Sequence, residues 1–125
     1  MAGRLHHVAI LCSDKESTLR FYRDALGFEV VRAVERPERE DEIVWLCGYG
    51  VTLEVFVALN RLPRVSDPEA YGLRHLALRV DDVEALMAHV KSCGFAPEPI
   101  RRDSFDGQKM TFVKDPDGLP VELHE

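Results

Sequence analysis

The sequence predicts an α+β fold of two tandem βαβββ modules, forming a curled mixed sheet around a cleft. Three observations carry that prediction. First, Leu5-His6-His7-Val8-Ala9-Ile10 returns as Leu73-Arg74-His75-Leu76-Ala77-Leu78, and Leu53-Glu54-Val55 returns as Val121-Glu122-Leu123. Second, the spacings agree. His7 to His75 and Glu54 to Glu122 both span 68 residues, and His to Glu spans 47 in each copy. Third, each copy contains a helix-periodic run that ends in Gly-Phe, at Gly27-Phe28 and Gly94-Phe95. The period exceeds the roughly 20–50 residues of solenoid repeats, so a duplicated module is expected and not an array.

Taken in order, residues 5–12 read as a strand, with His7, Ala9 and Leu11 on one face and His6, Val8 and Ile10 on the other. Ser13-x-x-Glu16 has the form of a capping box, with Asp14 as an alternative cap. A helix is expected from there to about Leu26, since Leu19, Tyr22 and Leu26 recur on one face. Gly27 stands where a left-handed residue ends a helix. A second strand is expected over 28–34. The charged run Glu35 to Glu42, with Pro37 inside it, reads as an exposed loop or a frayed strand end. Strands over 43–47 and 51–59 flank Gly48-Tyr49-Gly50, a hairpin signal. Residues 60–72, with Pro63, Pro68 and Gly72, read as the linker between modules.

The second module opens with a strand over 73–80. Asp81 and Asp82 then cap a helix whose apolar face is Val83, Leu86, Met87 and Val90. Strands over 96–102, 109–114 and 121–124 follow. Asp115-Pro116-Asp117-Gly118 is a strong turn signal between the last two. Residues 1–125 thus read as a single domain: module 5–59, linker 60–72, module 73–125. Two such modules facing each other would enclose a cleft lined by the sheet faces opposite the helices.

Composition narrows the function. Apolar residues make up 46% and charged residues 30% of the 125, as in soluble globular proteins. The formal net charge of −6 argues against nucleic acid. No apolar run approaches the roughly 20 residues of a membrane span, and the first residues lack the pattern of a signal peptide. Cys12, Cys47 and Cys93 are odd in number and include no CxxC pair. That disfavours a disulfide framework or a thiolate zinc site and points to a reducing cytoplasm.

The repeated His and Glu are the candidate chemistry. A carboxylate placed mid-strand among apolar neighbours, as Glu54 is, is costly to bury unless it is paired or ligates a cation. Two imidazoles and two carboxylates at matched positions could hold one divalent ion (Ni, Zn, Co, Mn or Fe) in six-coordinate geometry with two waters. Duplication of a structural hydrogen bond, or a solvent-facing Glu54, would give the same pattern. His6, His89 and His124 fall off it and are not read as ligands.

The two His-bearing strands, the Gly-Phe after each helix, and Asp115-Pro116-Asp117-Gly118-x-x-x-Glu122 resemble the vicinal oxygen chelate superfamily, and within it the glyoxalase I (lactoylglutathione lyase)-like members. The resemblance spans nearly the whole chain. It implies metal ligands at His7, Glu54, His75 and Glu122, in a cleft between modules often built across a homodimer. It also implies a reaction in which a substrate with adjacent oxygens chelates the ion while a Glu moves a proton between neighbouring carbons through an enediolate. Glu122 is the expected base and Glu54 its complement. Bacterial glyoxalase I enzymes carry an Arg four residues after the first His and an Asn four after the first Glu, both holding glutathione. Leu11 and Ala58 stand there, so the metal site carries over and the glutathione site does not. Arg74, Arg101, Arg102 and Lys109 are the cations expected to hold an anionic substrate instead. Alternatives within the superfamily are a methylmalonyl-CoA-epimerase-like isomerase, a thiol transferase, a ring-cleaving dioxygenase and a drug-binding protein of the bleomycin-resistance kind.

Overall fold

The computed structural model describes residues 1–125. The chain divides into two compact units, Met1–Leu62 and Pro63–Glu125. Each contains one four-stranded mixed sheet and one principal helical segment, and neither sheet closes on itself.

In the first unit the elements are β1 (Val8–Cys12), α1 (Lys15–Leu19), β2 (Glu29–Arg36), β3 (Asp41–Gly48) and β4 (Val51–Ala58). The sheet order is β1-β4-β3-β2, with β1 and β4 parallel and the other pairs antiparallel. Alternation sorts β1 into buried Ile10 and Cys12 on one face and exposed Ala9 and Leu11 on the other. The strand is shorter than the sequence predicts, since residues 5–7 precede it.

Asp14, not Ser13, caps α1. Its carboxylate accepts the Ser17 amide at 2.8 Å. After Leu19 the helix widens into a π-helical stretch, Arg20–Ala25, with the Leu26 amide bonded to the Phe21 carbonyl at 3.0 Å. The extra residue in the turn rotates the apolar stripe. Thr18, Phe21, Tyr22 and Ala25 are therefore buried, while Leu19 is half-buried.

The charged run is partly two strand ends and partly an exposed turn. β2 continues through Arg36 and β3 begins at Asp41, joined by a short 3₁₀ turn over Pro37–Arg39 with Glu40 left-handed at φ 53°. Arg36 and Asp41 are register partners, and the guanidinium grips the carboxylate through two bonds of 2.7 and 2.6 Å. A fork-to-fork pair of this kind holds a hairpin end that strand propensity alone would leave frayed. The β3–β4 turn puts Tyr49 and Gly50 at φ 53° and 72°, the signature of a two-residue hairpin turn. Gly48 is required for packing. A Cβ there would lie 2.9 Å from the Phe28 ring.

In the second unit β5 (Leu76–Arg79), α2 (Val83–Ser92), β6 (Arg101–Arg102), β7 (Lys109–Lys114) and β8 (Pro120–His124) follow in turn. The sheet order is β5-β8-β7-β6, again with the first and last strands parallel. Asp82 caps α2 by accepting the Ala85 amide at 2.9 Å. Only two residues of the strand expected over 96–102 are regular. Pro97 and Pro99 lack the N–H a ladder needs. Glu98 between them still pairs with β7, donating its amide to the Phe112 carbonyl at 2.8 Å and accepting the Thr111 hydroxyl at 2.6 Å. Buried Asp115 organises the turn before β8 by accepting the Asp117 and Leu119 amides at 2.9 Å each.

Candidate metal centre

Each unit positions one imidazole beside one carboxylate by the same device. In the first unit β4 buries Leu53 and Val55, so alternation turns Glu54 to the opposite face. The parallel register sets Ala9 beside Glu54. His7 lies two residues before Ala9, and its Nε2 is 3.5 Å from Glu54 Oε2. His6 Nδ1 meets His7 Nδ1 at 2.8 Å, which turns the other His7 nitrogen toward the carboxylate. Across the next ladder Trp45 is the register partner of Glu54, and its indole N–H donates to Oε2 at 3.1 Å. The Arg32 guanidinium covers the Trp45 ring at 5.1 Å.

The second unit repeats this register. Ala77 stands beside Glu122, and His75 Nε2 is 3.9 Å from Glu122 Oε2. Phe112 is the cross-strand partner of Glu122. It meets the His75 ring edge-on at 5.2 Å, and Arg101 covers it at 5.6 Å. Glu, aromatic ring and arginine thus stack alike in both units, with one difference. Phe112 has no N–H to give Glu122 where Trp45 gives one to Glu54.

A cavity of about 710 Å³ in the second unit has His75 in its wall. Arg74 and Arg101 line it, whereas Lys109 does not. Arg74 forks onto Glu69 at 2.9 and 3.1 Å and holds that carboxyl below its usual range. Arg101 lies 3.6 Å from Glu98, and Lys109 lies 3.3 Å from Glu84 on α2. Arg102 donates to the Gly107 carbonyl. Arg64 and Lys114, which the sequence did not single out, also line the cavity.

His124 is part of a further cluster. Its Nε2 lies 3.2 Å from Asp106 and 3.7 Å from Asp103. The Phe105 amide, bonded to the Asp103 carboxylate, chiefly holds that carboxyl below its usual range.

The family model for the glyoxalase/bleomycin resistance protein/dioxygenase superfamily matches residues 4–123. The chain belongs to that superfamily. Within it, the chain is 40% identical to the uncharacterized protein YaeR of Escherichia coli over 98% of its own length and 95% of that protein's. It is 30% identical to a probable lactoylglutathione lyase of Vibrio cholerae, over 96% and 88% of the two chains. The crystal structure of a glyoxalase family protein from Enterococcus faecalis superimposes with a TM-score of 0.90 at 48% identity, covering 98% and 97% of the two chains. Leu11 is an exposed apolar side chain, and Ala58 is buried.

The divalent ion that this superfamily implies can be tested against the donors present. Two ligands each about 2.0–2.2 Å from one ion stand about 3.0 Å apart at a right angle and nearer 4 Å as the angle opens. The separations of 3.5 and 3.9 Å fall within that span and outside ordinary hydrogen-bond range. All four side chains keep solvent access, from 14% for Glu122 to 38% for His7. The Trp45 bond to Glu54 is the outer support a ligating carboxylate needs. Each half-site fits such an ion.

Proposed function

We propose that the chain is a metal-dependent lyase or isomerase of glyoxalase type, acting on a small molecule with adjacent oxygens. The observation that carries this reading is the equivalence of the two His–Glu pairs, with the same register and the same imidazole-to-carboxylate approach. His7, Glu54, His75 and Glu122 together would hold one divalent ion of the Ni, Zn, Co, Mn or Fe group. When bound, the ion supplies Lewis-acid stabilisation of negative charge developing on the substrate oxygens.

The proton work falls to the chain itself. Glu122 takes a proton from the carbon next to a carbonyl, then returns it to the neighbouring carbon and is a carboxylate again. Trp45 supports this division of labour. Its N–H pins Glu54 Oε2 in place, making Glu54 the fixed ligand. Glu122 faces a ring that donates nothing to it, so its carboxylate is free to take the proton. Leu11 and Ala58 support a substrate other than a glutathione adduct. A homodimer in the cytoplasm is the setting this reading takes.

Metal content of the purified protein and isomerisation of hemithioacetals built on several thiols test the reading. Glu122→Gln should lower the rate per bound ion by about 10²–10⁴. A chain that carries no metal, and whose rate does not respond to that substitution, would remove the enzyme reading and leave simple ligand sequestration.

A further inference from the structure

The whole chain is acidic, with a net charge of −6, yet the cavity beside His75 is basic. Arg64, Arg74, Arg101 and Lys114 face two carboxylates there, Glu69 and Glu98. Those two are already engaged, by Arg74 at 2.9 Å and by Arg101 at 3.6 Å. Arg64 spends one nitrogen on the Leu73 and Arg74 carbonyls at 2.8 and 2.9 Å, bonds that neutralise no charge. Lys114 is exposed at the end of β7, two residues from Phe112 and so on the same strand face. Neither Arg64 nor Lys114 has a carboxylate within salt-bridge distance. The four cations and two carboxylates leave a net excess of two positive charges in one concave wall that also contains the imidazole of the second half-site.

The cavity has the dimensions of a ligand site, since about 710 Å³ lies inside the usual range of roughly 300–1,000 Å³. Its floor is amphipathic. Phe112 and Pro120 offer apolar surface, and the Phe112 ring touches both His75 and Arg101.

We infer that this cavity is an anion subsite, with Arg64 and Lys114 binding a dianionic group, a phosphate or a pair of carboxylates, on the substrate of the neighbouring half-site. The inference rests on the proposed lyase reading for what the anion is attached to. The excess positive charge of the cavity is independent of that reading. The acidic remainder of the chain gives no long-range attraction for such a molecule, so local contacts must hold it, and binding should weaken as salt rises.

The test uses full-length protein stripped of metal on a chelating resin, so that anion binding is read without the ion. Inorganic phosphate and malonate are titrated calorimetrically and by amide NMR, which separates the phosphate from the dicarboxylate source. Either anion should bind and shift the amides of Arg64 and Lys114. Lys114→Gln should weaken binding about tenfold, the loss of one charge-assisted hydrogen bond. Lys114→Glu should abolish it. Lys91→Gln, which removes a cation on α2 outside the cavity, should leave it unchanged. Thermal melts of the Lys114 variants should match the parent, because that side chain holds no partner. Absence of binding by both anions, or equal binding by Lys114→Glu, overturns the inference whatever the metal content proves to be. Anion binding by a protein that never takes up metal would instead sink the lyase reading and leave the subsite standing.

Discussion

Glu54 accepts a hydrogen bond from the Trp45 indole, while Glu122 faces the Phe112 ring across its own ladder. That single N–H makes the two carboxylates inequivalent. Trp45→Phe should therefore leave the fold intact and weaken metal binding or activity about 10–100-fold, the usual effect of losing an outer-shell donor. Competitive metal titration of parent and variant measures it, and unchanged affinity would show that the indole is only packing. The four repeated side chains were legible in the sequence because identical residues recur at identical intervals. Trp45 was not, because its role comes from cross-strand register. The partner of Glu54 lies nine residues before it, whereas the partner of Glu122 lies ten before, so no repeat aligns Trp45 with Phe112. Arg64 was hidden for a similar reason, since a residue in a linker reveals its neighbours only once the chain has turned.

At the scale of elements, the β2–β3 hairpin departs furthest from its sequence pattern, and charge accounts for it. Arg36 holds the Asp41 carboxyl below its usual range, chiefly through their side-chain hydrogen bonds. A carboxyl depressed on folding stabilises the fold above its unfolded pKa, near 3.9, and loses that contribution as pH falls through the lower folded value. Asp41→Asn should accordingly melt below the parent at pH 7, and the gap should narrow as pH falls below about 4. Melting curves across that window check the sign. Gly48→Ala should destabilise by about 1–3 kcal/mol, because the new methyl group meets the Phe28 ring and must displace it. Chemical denaturation measures that cost. The helices and most strands were legible from periodicity and caps. The expected strand over 96–102 shortens to Arg101–Arg102 because Pro97 and Pro99 lack the donors a ladder needs, and the π turn leaves no mark in the apolar spacing.

For the whole molecule, the proposed function makes a claim about stoichiometry. If both half-sites serve one ion, the protein should bind one ion per chain, and His7→Ala or His75→Ala should each remove nearly all of it. Independent half-sites would lose only half. Elemental analysis of the two variants decides between these outcomes. The parallel pairing of the first and last strands in each unit has a consequence of its own. β1 pairs with β4, and β5 with β8, across nearly the whole length of each unit, and pairings between distant segments are the slow ones. Each His–Glu pair straddles that seam. Metal uptake during refolding should therefore lag behind the recovery of helical circular dichroism, and a cobalt colour change would time the moment at which the nascent sheets are zipped shut.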